Sequence, residues 1–243
     1  MTDLTRGDVL AERYVLQDPV PSDIAELVCW TAEDQILGRI VHVSLVSGPR
    51  RAAALDEARR ASLVADPRLT RVLDVGDVGD LGYVVTETHV GQPLTAILAA
   101  GPLTLEQGRS IIGEIASALA VAEHRGVHHG HLRPEAVRVK DNRVHLTGLG
   151  LDGALVPHVG ELTRPRADAV GLARLLAYML TGRWTTPPPV PETELADLDS
   201  LDGADPHLVL LVRDTLTTRT GGVRDAEQAA RDLAPWDAID VPE

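Results

Sequence analysis

The chain has no phenylalanine, one cysteine, two methionines, three tryptophans and three tyrosines, so aromatic residues make up only 2% of it. A core built from this sequence has to be packed with Leu, Val and Ala. Cys29 is alone, which excludes an internal disulfide and fits a reducing cytosol. No lysine occurs before Lys140. Positive charge is scarce overall: 23 basic residues stand against 36 acidic ones, a net charge of -13. That balance argues against a general nucleic-acid binder and against an anionic-membrane binder, both of which need a basic face. No stretch approaches the roughly 18 apolar residues of a membrane helix. Residues 1–10 are polar and acidic and do not read as a signal peptide. The expected location is cytoplasmic, either as a free protein or as the soluble part of a membrane-associated one.

What is present suffices for a sizeable core: 243 residues, 44% apolar and 24% charged. Alternation and β-branching predict strands at 13–16, 24–31, 38–46, 69–75 and 82–88. An Ala-rich segment, 50–65, reads as a helix with Leu55, Ala58 and Leu63 facing inward, ended by Asp66-Pro67. The clearest helix is 103–125, where Ile111, Ile112, Ile115, Leu119 and Ala122 share one face. Thr104 and Gln107 have the spacing of a capping box at its start. Residues 137–139 and 143–146 read as a hairpin turning at Asp141-Asn142, and a buried helix runs from Asp168 to Gly182. The acidic segment 192–205 reads as weakly structured, 207–217 and 224–233 as two closing helices, and 234–243 as an exposed tail or linker.

Between the long helix and the hairpin lies His128-His129-Gly130-His131-Leu132-Arg133-Pro134-Glu135-Ala136. It resembles the catalytic loop of the eukaryotic-type protein kinases, H-R-D-L-K-P-E-N. In that resemblance His131 stands at the position of the proton-accepting Asp, and Ala136 at that of the magnesium-binding Asn. Residues 40–46 resemble the third kinase strand, with Ser44 in place of the phosphate-binding lysine. Glu57 falls where that lysine's glutamate partner would sit, which leaves it solvated or differently paired. Thr147-Gly148-Leu149-Gly150-Leu151 resembles the D-F-G segment, with Gly148 at the metal-binding Asp. Thr86 takes the position that gates the nucleotide pocket. The loop 17–23, where kinases carry a Gly-rich phosphate cradle, has no glycine, two prolines and two aspartates. Asp168 resembles the Asp that holds the catalytic-loop backbone. The retained frame is thus Glu57, His129 and Asp168.

These matches, in order along residues 13–233, imply an α+β, bilobal protein-kinase-like fold. An extension, 1–12, precedes a small β-rich lobe at about 13–87 and a larger helical lobe at about 92–233. The missing groups lead to the expectation of a catalytically inactive pseudokinase, not an enzyme, with no cofactor, no metal, and a cleft closed by Leu149 and Val43. The chain is similar to the cytoplasmic pseudokinase domain associated with the actinobacterial lipid II flippase. That resemblance implies a scaffold phosphorylated on Thr by an active Ser/Thr kinase, which then recruits a forkhead-associated domain protein in the control of peptidoglycan synthesis. Candidate phosphosites are Thr163, Thr217, Thr218 and Thr220. Two alternatives stay open: a nucleotide-binding regulatory domain, and a residual enzyme on the same fold. A metal site built from His128, His129 and His131 with His145 or His124 is the weaker reading, since such sites usually add a carboxylate or Cys.

Overall fold

The computed structural model describes residues 4–156, 162–200, 205–217 and 221–241. The strands are β1 (Val9–Leu10), β2 (Tyr14–Val20), β3 (Leu27–Asp34), β4 (Arg39–Val46), β5 (Val72–Val78), β6 (Leu81–Thr86), β7 (Gln92–Pro93), β8 (Val137–Lys140) and β9 (Arg143–Leu146). The helices are α1 (Arg51–Ala61), α2 (Leu94–Leu98), α3 (Leu105–Glu123), α4 (Asp152–Leu155), α5 (Arg164–Thr181), α6 (Glu192–Leu195), α7 (Pro206–Thr217) and α8 (Ala226–Leu233). The first six strands form one antiparallel sheet in the order β1-β2-β3-β4-β6-β5, and β7-β8-β9 form a second, small sheet. A β-rich lobe therefore precedes a helical one, the bilobal α+β arrangement expected from the sequence.

Alternation along β4 decides what each lobe contributes to the cleft between them. Val41, Val43 and Leu45 pack with Tyr14, Leu16 and Trp30 on one face of the sheet, away from the second lobe. His42 and Ser44, on the other face, line the cleft. Val43 therefore cannot close the cleft, contrary to expectation, because the period of a strand sends it to the opposite face from Ser44. Leu149 does line it.

In the second lobe, α3 is the central element. Thr104 accepts from the Gln107 backbone and the Gln107 side chain accepts from the Thr104 backbone, so both halves of the capping box form. Ile111, Ile112, Ile115 and Leu119 are all buried at 2% exposure or less. The hairpin β8–β9 turns at Asp141 and Asn142, whose φ values of 48° and 57° give the left-handed pair of a type I′ turn.

Several boundaries differ from the sequence-based expectation. Helix α1 stops at Ala61, four residues short, and Leu63 lies outside it at 71% exposure. Val9–Leu10 pairs with β2, so part of the N-terminal extension belongs to the sheet. Segment 192–205 is not unstructured throughout: it contains α6 and a 3₁₀ turn at Ala196–Ser200. Residues 234–241 are no exposed tail. Ile239 and Val241 are buried, and Trp236 lies over Gly113 of α3 and donates its indole N–H to Glu114 at 3.0 Å. A Cβ on Gly113 would come within 2.4 Å of the Trp236 ring, so the missing side chain in α3 makes the seat for the tryptophan.

Candidate functional site

The loop 128–136 is held from below by α5. Asp168 is 2% exposed, and its two carboxylate oxygens accept the backbone N–H groups of His129 at 3.0 Å and Gly130 at 2.7 Å. His129 is fully buried. Its Nε2 lies 2.8 Å from the Thr147 carbonyl, while its Nδ1 takes the backbone N–H of His131 at 3.3 Å. A carbonyl can only accept, so Nε2 carries the proton and the ring is the neutral Nε2–H tautomer. Gly171 of α5 allows this approach: a Cβ there would lie 2.6 Å from the Leu132 Cβ. Glu57, Asp168 and His129, the expected frame, are all buried.

Glu57 is paired differently from the kinase pattern. Its carboxylate accepts from Arg164 at 2.5 Å and from Arg60 at 3.2 Å. Helix α1 is thereby tied to the start of α5. Gly150 sits under α1, where a Cβ would approach the Glu57 carbonyl to 2.8 Å.

Ser44, His42, Thr147, Gly148 and Leu149 line a cleft cavity of about 150 Å³. Ser44 Oγ is 3.7 Å from the Cys29 sulfur. Burial pushes the Cys29 thiol up to about 11, so it is protonated at neutral pH. Across the cavity His42 and His89 stack at 4.0 Å between ring centroids, 28° from parallel. Burial lowers His42 to about 4 and His89 to about 3, helped by the Arg138 charge nearby, so both rings are neutral. His131 is held down to about 4 by burial and by Arg133. The position expected for a catalytic Asp therefore carries a neutral imidazole.

Asp152 carries no motif signature in the sequence. Gly148 has φ +79°, and a Cβ built there would fall 2.0 Å from Asp152 Oδ2. The Asp152 carboxylate thus fills the space that a side chain at 148 would enter. Burial raises its pKa, and Arg133 opposes the rise. Arg133 Nη1 donates to Asp152 at 2.6 Å, and its Nε and Nη2 donate to Asp23 at 2.6 and 2.9 Å. The available signal was an aspartate four residues after a glycine in a Gly-x-Gly-x-Asp run. A kinase-type divalent ion would need ligands at positions 136 and 148. Ala136 offers a methyl group, Gly148 offers nothing, and the one carboxylate that reaches the place is already bonded to a guanidinium. These residues do not fit that ion.

Of the candidate phosphosites, Thr163 is the exposed N-cap of α5, and its side chain makes no capping bond. Thr217 ends α7 with its hydroxyl donated to the Arg213 carbonyl at 2.8 Å. Thr218 and Thr220 lie outside the described residues. Among the described residues no three His, Cys, Asp or Glu side chains converge on one point, and the histidine cluster does not assemble. No described helix is long and apolar enough to cross a membrane.

The two lobes, the clamped loop and the cleft between them define a protein-kinase fold. The structure superposes on the kinase domain of Mycobacterium tuberculosis PknI with a TM-score of 0.77 at 18% identity, covering 96% of this chain and 98% of that one. No family model matches. Its homologues are bacterial Ser/Thr protein kinases. The probable serine/threonine-protein kinase pknA2 of Bifidobacterium longum is 29% identical over 133 residues, 50% of this chain and 18% of the relative. Serine/threonine-protein kinase PknD of Mycobacterium tuberculosis is 28% identical over 181 residues, 63% of this chain and 27% of the relative. The matched regions thus span less than a third of either relative. These relatives correct the expectation that the chain is not an enzyme: kinases in sequence and kinase domains in structure both point to one.

Proposed function

We propose that this chain is the kinase-fold signalling domain of a phosphorylation-dependent recruiter. In this reading an active Ser/Thr kinase phosphorylates it on threonine, and a forkhead-associated domain protein then binds, in the control of peptidoglycan synthesis. The observation that supports it is Thr163. It is exposed at the N-cap of the 18-residue α5, and its side chain makes no capping hydrogen bond there. A phosphate there would meet the positive end of the helix and could draw Arg164 away from Glu57. Incubation with an active bacterial Ser/Thr kinase should give phosphothreonine at 163 by mass spectrometry. Thr163→Ala should then cut forkhead-associated domain binding at least about tenfold, a loss on the order of 1.4 kcal/mol. Absence of phosphothreonine at 163, 217, 218 and 220 alike would sink the reading.

A second reading, a nucleotide-using domain, is favoured by the kinase relatives. ATP at a hundred times its Kd would add about 2.7 kcal/mol, a Tm rise of roughly 5–10 °C for a chain of this size. No rise at millimolar ATP, with or without magnesium, would remove this reading and leave the first untouched.

A further inference from the structure

Arg133 donates from all three nitrogens of its guanidinium. Asp23, on the loop between β2 and β3, takes two of its donors, and Asp152, beside Gly148, takes a third. The Arg133 side chain is 12% exposed and that of Asp152 is 5% exposed, while Asp23 reaches them from the other lobe at 45%. The other arginine lining the cavity, Arg138, is committed to the carbonyls of Val90 and Gly91. One fixed positive charge therefore sits between two carboxylates, at the place where the kinase fold would call on a divalent ion and where positions 136 and 148 supply no ligand.

We infer that Arg133 is the resident cation of this cleft. Its guanidinium occupies the carboxylate site that a divalent ion would otherwise use and straps the 21–26 loop to the second lobe. The chain's own cation makes the cleft independent of divalent metal. Removing it exposes two carboxylates that can then take one.

The test is a titration of the full chain with Mn²⁺ alone, read by the EPR signal of free Mn²⁺. Asp152→Asn should bind Mn²⁺ as the wild type does, since Asp152 is not available in either. Arg133→Gln should bind at least tenfold more tightly than wild type, and Arg133→Gln/Asp152→Asn should lose that gain. A wild-type site that Asp152→Asn abolishes would overturn the inference, as would a folded Arg133→Gln that gains nothing. If Arg133→Gln fails to fold, the wild-type comparison with Asp152→Asn still decides the first point. Hydrogen exchange on Asp23→Asn decides the second: amides of residues 21–26 should exchange at least tenfold faster, and an unchanged rate would remove the strap.

Discussion

Replacing Asp168 by alanine should lower the melting temperature by roughly 10 °C. The carboxylate accepts two backbone N–H groups, those of His129 and Gly130, at a site that is 2% exposed. Alanine leaves both donors buried without a partner, at about 1–3 kcal/mol each. For a chain of this length each kcal/mol corresponds to roughly 2–4 °C. Asp168→Asn keeps one carbonyl acceptor but turns an N–H toward the second donor, so it should fall about half as far. The same change should loosen the loop below His131, visible as faster exchange of the amides of His129 and Gly130. A melting point within about 2 °C of wild type in Asp168→Ala would mean that the loop holds its shape without the clamp.

Acidification should unfold the protein earlier than its carboxylates alone require. His42 and His89 are neutral in the folded chain, with pKa values lowered to about 4 and about 3. The unfolded chain takes protons at these rings near pH 6.5. Between those values the unfolded state binds more protons, so stability is fully present above about pH 6.5 and drains as pH falls toward 4. Each ring contributes up to about 1.4 kcal/mol per pH unit, so over the roughly 2.5 units of the window the pair is worth at most on the order of 7 kcal/mol. His131, lowered to about 4, acts in the same direction. Asp34, held down to about 2 chiefly by Arg13, loses its contribution only below about pH 4, in a lower window. The charged neighbour of the pair is Arg138, which stays protonated throughout and adds no step of its own. The variant His42→Val/His89→Leu should therefore flatten the stability curve between pH 6.5 and 4.5 while leaving the loss below pH 4 in place. Urea midpoints at half-unit pH steps would show this. Parallel curves for variant and wild type would mean that the stack takes up protons without opening.

The two-lobed fold could be read in the chain because its signals are local. The capping box at Thr104 and Gln107, the five-residue apolar face of α3 and the Asp141-Asn142 turn each act over a few residues, and each forms. The cleft was less legible because its chemistry is assembled from distant segments. A motif comparison puts Gly148 at the place of an Asp and stops there. Only the left-handed turn at 148 shows that the Asp152 carboxylate swings back into that space. The partner of Asp152, Arg133, reads in the sequence as one basic residue in a loop, and its second partner, Asp23, lies 110 residues earlier. Val43 looks like a cleft residue from its apolar character alone, but the alternation that places Ser44 there sends it the other way. Trp236 reads as part of a tail because a single tryptophan in a polar stretch carries no period, and its seat is an absence, the missing side chain of Gly113.

The pairing of Glu57 with Arg164 joins a helix of the first lobe to the helix that begins at Thr163. It works alongside Arg68–Glu114 at 2.9 Å and the Arg50 bond to the Leu155 carbonyl at 3.1 Å, which also cross between lobes. With ties at several points around the junction, a swing of one half against the other has to break these bonds. A protein docking across both halves then meets a surface already in its final shape. Its association rate should sit in the ordinary 10⁵–10⁷ M⁻¹s⁻¹ range for rigid docking, and differences among ligands should appear in how long they stay.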